Sequence, residues 1–151
     1  VTERIVLPLI DEHERRIDAD REQVWVALGR MLSGADSSDG ALSTITFRLL
    51  GVRPGRTAGD PLHEGSTLQG FAVSRVVRPE ILRLEGRHRF SRYALTFRLR
   101  RDGDSTIVTA ESRGEFPGIT GRAYRALVVG SGGHVIAVRR MLARISAETA
   151  R

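Results

Sequence analysis

The spacing of apolar residues changes character several times along the chain. From about Ile5 to Ile17 it opens with Ile5, Val6, Leu7, Leu9 and Ile10 and turns polar at Glu12, His13, Glu14, Arg15 and Arg16. This predicts a strand, and Pro8, which has no N–H to give a ladder, places it at a sheet edge or a bulge. A helix is predicted next. Asp20 can cap it with Gln23 as capping-box partner, and Val24, Trp25, Leu28, Met31 and Leu32 form its stripe at helical spacing. Ser33 to Gly40 is a polar loop. In Ala41 to Leu50, the spacing of Leu42, Ile45, Leu49 and Leu50 points to a short helix, against the strand-favouring Thr44, Thr46 and Phe47. Gly51 to Gly65 holds four glycines and two prolines and reads as loop.

Beyond the loop the period becomes two. Thr67–Val77, Ile81–Phe90, Tyr93–Arg101 and Ser105–Phe116 each read as a strand. Their joins (Pro79-Glu80, Ser91-Arg92, Asp102-Gly103-Asp104) are too short for crossovers, so the strands form an antiparallel meander. Pro117-Gly118 ends the sheet, and Thr120 is placed to cap one long helix running to about Glu148. At 100° per residue, Tyr124, Leu127, Val128, Ser131, His134, Val135, Val138, Met141, Leu142 and Ile145 fall within about 70° of one direction. Gly130, Gly132 and Gly133 interrupt it and predict a kink or a close backbone approach. Helices segregated from an antiparallel meander give an α+β fold, here a single domain over residues 1–151. A sheet that curves around the last helix would leave a pocket between the two.

Composition excludes several classes of chemistry. The chain has no cysteine, so disulfides, thiolate zinc sites, iron–sulfur clusters and cysteine nucleophiles are out. No apolar run approaches the roughly 18 residues of a membrane span, and no secretory pattern opens the chain, so the expected compartment is the cytoplasm. Net charge is +6, and all 24 basic residues are arginine. Lysine and asparagine do not occur, which is what a GC-rich coding sequence produces. The arginines are spread from Arg4 to Arg151 and aromatics are only 5%, so nucleic acid is not the expected partner.

Some of these segments resemble a known family. Ile17-Asp18-Ala19-Asp20-Arg21-Glu22-Gln23-Val24-Trp25, Leu84-Glu85-Gly86-Arg87-His88-Arg89-Phe90 and the terminal Arg139-Arg140-Met141-Leu142 resemble the START-like superfamily, also called helix-grip or SRPBCC, in its bacterial polyketide cyclase/dehydrase-like branch. The resemblance runs over essentially the whole chain. It implies a curved antiparallel sheet of about six or seven strands gripping the C-terminal helix, two short helices after the first strand, and a cavity for an apolar or amphipathic ligand. Its motifs mark architecture rather than chemistry, and members include carriers, receptors and cyclases.

No nucleophile elbow, P-loop or H-E-x-x-H is present, and the four histidines lack metal-ligand spacing. No metal and no cofactor are therefore expected. His88 shares a strand face with Leu82, Leu84, Gly86 and Phe90, opposite Arg83, Glu85, Arg87 and Arg89, so it should point inward as a candidate acid or base. His134, near the helix stripe, is the second candidate; the competing reading for both is a hydrogen-bonded core histidine. Tyr93 and Tyr124 offer phenols to a ligand oxygen, Phe71, Phe97 and Phe116 offer pocket wall, and Ser131 lies on the same helix stripe. Trp25 reads as core. Glu111, Arg113 and Glu115 read as an outward charge ladder against Arg83, Arg87 and Arg89; a catalytic Glu111 would require the opposite strand phase.

The expected function is binding of a hydrophobic or amphipathic small molecule (a lipid, an isoprenoid or a polycyclic aromatic), through Phe71, His88, Tyr93, Phe97, Phe116, Tyr124, Ser131 and His134. The alternative is a cofactor-free cyclase or dehydratase using His88 or His134 on a polyketide-like substrate. A third reading sets the arginine surface against an acidic partner. Any membrane contact should be transient, and the protein should be a monomer or homodimer. The Gly51–Gly65 loop is wide enough to serve as a lid, but its composition does not show that it is one.

Overall fold

The computed structural model describes residues 6–34, 53, 57–68 and 70–151. In chain order the elements are β1 (Leu9–Ile17), α1 (Arg21–Gly34), β2 (Thr67–Leu68), β3 (Phe71–Val77), β4 (Ile81–His88), β5 (Ser91–Asp102), β6 (Ser105–Glu115), α2 (Gly118–Val128) and α3 (Gly133–Thr149). The six strands form one antiparallel sheet in the order β1-β6-β5-β4-β3-β2. The fold is the expected α+β helix grip.

The local chemistry explains most boundaries. Strand β1 is an edge strand whose register shifts between Leu9 and Asp11, so Pro8 stands just outside the ladder beside a bulge. The capping box at α1 closes from both sides: Gln23 N–H donates to Asp20 Oδ1 at 2.9 Å, and Asp20 N–H donates to Gln23 Oε1 at 3.3 Å. One expectation needs correcting in the meander. The single strand over Thr67–Val77 is instead the hairpin β2–β3, with Leu68 opposite Phe71. Gly70 has φ 88°, a left-handed conformation that turns the chain where alternation alone reads straight through.

The C-terminal helix is likewise corrected. It is two helices, bent 55° across a break at residues 129–132. Val129 N–H bonds Arg125 O, Gly132 then turns left-handed at φ 78°, and α3 starts afresh. The glycine run is thus the kink that its composition predicts. The break resets the helical phase. Leu127, on the stripe of an unbroken helix, is 71% exposed. Helix α2 begins after Pro117 with no side-chain cap, so Thr120 does not cap it. The short helix expected at Ala41–Leu50 lies outside the described residues.

The core fills only part of the grip. Trp25, Leu28 and Met31 of α1 and Val138, Leu142 and Ile145 of α3 pack on Leu82, Leu84, Phe97, Leu99, Val108 and Ala110 of the sheet. Helices α1 and α3 also pack on each other. By contrast α2 buries only Gly121 and leaves Ile119 85% exposed. In the register, the sheet beyond Leu84 and Leu95 continues as Gly86–Tyr93–Gly114 and then His88–Ser91. That end lies beyond the aliphatic core.

Candidate ligand site

The end of the sheet beyond the core is aromatic. Tyr124 of α2 meets His88 of β4 edge to face, with ring centroids 4.5 Å apart. It stacks on Phe90 at 6.0 Å and on Phe116 at 6.2 Å. His88 lies 5.8 Å from Tyr93, and Tyr93 lies 5.2 Å from Phe71 in an edge arrangement. Arg125 stands over Phe116 at 6.0 Å. All six rings are half-buried, whereas Trp25 and Phe97 in the core are fully buried.

Glycines make room for this shelf. Gly86 and Gly114 are the cross-strand neighbours of Tyr93 on either side. A Cβ on Gly86 would clash with Gly70 O and stand 2.6 Å from Tyr93 Cε2, so the ring lies directly over the glycine. The Tyr93 hydroxyl donates to Gly70 O at 2.7 Å, which ties the shelf to the β2–β3 turn. Burial, with Tyr124 nearby, pushes the Tyr93 phenol up to about 12. Burial also raises Tyr124.

His88 is fully committed. Phe90 N–H donates to Nδ1 at 3.0 Å, so that nitrogen holds the lone pair. The proton therefore sits on Nε2, which donates to Ser91 Oγ at 2.8 Å. Burial lowers the imidazole below its ordinary value of 6.5, in keeping with a neutral ring.

Five of the sequence-predicted residues, Phe71, His88, Tyr93, Phe116 and Tyr124, thus come together. Phe97 does not join them; it is fully buried in the core. Ser131 is exposed in the interhelix break, with Oγ directed to Val128 O at 3.5 Å. His134 is engaged elsewhere, by Asp11 at 3.2 Å. Ser91 is not legible as a site residue, because a join between strands carries no phase, whereas alternation puts Phe90 on the His88 face and that signal could have found it. Gly86 and Gly114 did carry a signal, since glycine inside a strand marks close approach.

The outer face carries these charges, but the expected cross-strand ladder against Arg83, Arg87 and Arg89 does not form: β5 lies between β6 and β4, and Glu111 and Arg83 find their ion-pair partners along their own strands. Arg113 bonds Glu111 at 2.7 Å and Arg83 bonds Glu85 at 2.8 Å. The hydrogen bond from Arg113, aided by the charges of Arg113, Arg98 and Arg83, holds the Glu111 carboxyl below its ordinary value despite partial burial. The strand phase therefore turns Glu111 away from the grip. An open polar cleft of about 370 Å³ lies at the far end of β5, lined by Asp18, Asp20, Gln23, Arg101, Asp104 and Ser105. Its groups largely satisfy one another, with Ser105 on Asp18 at 2.8 Å and the capping box of α1 beside it. The aromatic end is the better candidate for that reason. Among the described residues no three ligating side chains are placed to hold a metal ion, and no single helix is long and apolar enough to cross a membrane.

Compared by sequence, the chain matches no family model and no curated protein. Compared by structure, it is similar to several solved proteins. The Mll3558 protein from Rhizobium loti is 17% identical with a TM-score of 0.60, covering 91% of this chain and 94% of that one. CalU16 from Micromonospora echinospora is 20% identical with a TM-score of 0.51, covering 91% and 81%. Norcoclaurine synthase from Thalictrum flavum, solved in complex with dopamine and hydroxybenzaldehyde, is 15% identical with a TM-score of 0.56, covering 95% and 88%. At these identities the likeness shows the fold alone.

Proposed function

We propose that this protein binds a hydrophobic or amphipathic small molecule on the aromatic shelf between the sheet and α2. One observation carries the reading: six rings converge on one end of the sheet and all stay half-buried, while the rings that serve the core are sealed. Covering them with a ligand gains roughly 25 cal/mol per Å² of apolar surface. A flat aromatic or polycyclic ligand suits the edge and stacked ring geometry best. The Tyr124 phenol is the polar handle, since the Tyr93 hydroxyl is taken by Gly70 O.

Binding is favoured over acid–base catalysis at His88, because both ring nitrogens are occupied and the ring is held neutral. Norcoclaurine synthase shares the fold and was solved with two small aromatic molecules, which supports an aromatic ligand class here. The ligand needs no metal or cofactor for this mode of binding. A monomer or homodimer in the cytoplasm, touching membranes only transiently, is the setting we propose.

Native mass spectrometry of the freshly purified protein tests the proposal, followed by titration with the fluorescent apolar anion 1-anilinonaphthalene-8-sulfonate. We expect a small-molecule adduct or saturable dye binding. Tyr124→Ala and Phe71→Ala should weaken dye binding, and Ile119→Ala on the outside of α2 should not. Absence of both adduct and dye binding, or equal binding by all variants, sinks the idea.

A further inference from the structure

The edge strand carries polar groups where its neighbours carry the core. In the register Asp11 stands opposite Ser112, and Ser112 opposite Leu95 and Leu84 in turn. His13 stands opposite Ala110, in the row of Phe97 and Leu82. Asp11 and His13 therefore belong to the inner face. His134, in the first turn of α3, comes down onto them. Its Nε2 meets Asp11 Oδ1 at 3.2 Å, and His13 Nε2 meets Asp11 Oδ2 at 3.3 Å. The side chains of Asp11, His13 and His134 are 20%, 20% and 22% exposed, so the cluster is sheltered without being sealed. Beside it Ser112 is only 3% exposed and its hydroxyl has no hydrogen-bond partner.

A simple clamp between α3 and β1 explains one imidazole on the carboxylate. It does not explain a second imidazole on the other oxygen, nor a buried hydroxyl left unpaired at a cost of about 1–3 kcal/mol. With each Nε2 turned to the carboxylate, each Nδ1 is left without a partner among the described residues. An imidazole whose Nε2–H is given to the carboxylate keeps its Nδ1 lone pair as an acceptor, and the unpaired Ser112 hydroxyl beside it is a donor. The cluster also continues from the aromatic shelf. Ser112 is two residues from Gly114, roughly 7 Å along the strand, and Gly114 neighbours Tyr93. Ile10 and Phe116 lie near Gly114 and lay an apolar surface between the two.

We propose that Asp11, His13, His134 and Ser112 form a polar subsite for a hydroxyl group, the alcohol or phenol end of a ligand whose apolar body lies on the aromatic shelf. The hydroxyl donates to an unoccupied imidazole Nδ1 and accepts from the Ser112 hydroxyl. This rests on the binding reading above, and the test separates the two.

The probes are 4-butylphenol and butylbenzene, which differ by one hydroxyl, titrated by calorimetry into the intact protein. In the wild type the imidazole nitrogen resonances of His13 and His134 should shift on adding the phenol and stay in place with the hydrocarbon. The phenol-to-hydrocarbon affinity ratio should fall roughly tenfold or more in Asp11→Asn and in His134→Gln, with hydrocarbon affinity unchanged. A ratio unaffected by both substitutions, or histidine resonances indifferent to the phenol, overturns the subsite and leaves the shelf standing. Failure of both probes to bind the wild type overturns the shelf and the subsite together. The resonance measurement needs no variant, so a misfolded Asp11→Asn does not blunt the test.

Discussion

The His88 and Tyr124 rings meet edge to face, with centroids 4.5 Å apart and planes at 69°. Tyr124 also stacks against Phe90 and Phe116, and α2 buries no residue other than Gly121. Tyr124 is thus the main side chain holding that helix over the sheet. In Tyr124→Ala, amide exchange over residues 118–128 should speed up while that over α3 stays slow. Mass-spectrometric hydrogen exchange reads this directly. Equal acceleration in both helices would show that they open as one unit.

Because the break divides a packed helix from an exposed one, the same truncation should cost differently on either side of it. Leu142→Ala opens a cavity in the core and should destabilise by about 2–5 kcal/mol. Leu127→Ala, at a residue 71% exposed, should change stability by less than about 0.5 kcal/mol. Urea unfolding of both variants checks the pair, and a cost at Leu127 matching that at Leu142 contradicts the division.

Gly86 is the position where the shelf tolerates no side chain. A methyl group there meets Tyr93 and the carbonyl of Gly70. Gly86→Ala should destabilise by about 1–3 kcal/mol through overpacking and should weaken dye binding at the same time. If stability drops while dye binding is untouched, Tyr93 is not part of the binding surface.

Burial holds His88 below its ordinary 6.5. Between that value and the lower folded value, the unfolded chain binds more protons than the folded one. Stability is therefore full above 6.5, declines as pH falls through this window, and levels off below the folded value. His88→Gln removes this term. From about pH 7.5 to about pH 5 the wild type should lose more stability than the variant. Parallel losses would mean that the ring is not held neutral. Glu111 works in the opposite sense, being depressed by Arg113. Its contribution is present above the ordinary carboxyl value and disappears as pH drops through the folded one, so Glu111→Gln should flatten the more acidic limb.

Local pattern is enough for the fold class, most elements and the faces of β4, β5 and β6. Alternation over Ile81–His88 put His88 inside and Arg83 outside, and hairpin joins too short for crossovers forced an antiparallel sheet. Those are local properties, written in period and turn chemistry. The same local reading put His88, Tyr93, Tyr124, Phe71 and Phe116 on inward positions, where their rings do come together, because inward aromatic positions are visible as a pattern.

The remaining features depend on long-range packing. Phe97 and Tyr93 share one strand face, yet one is sealed under the core and the other half-open at the end of the sheet. That difference depends on where α3 stops and α2 swings away, which a stripe computed for an unbroken helix misplaces. The left-handed turns at Gly70 and Gly132 depend on backbone conformations that no apolar pattern records. Asp11, His13 and His134 meet across 123 residues of sequence. No spacing rule reaches that far, so only the folded chain could show one carboxylate held between two imidazoles.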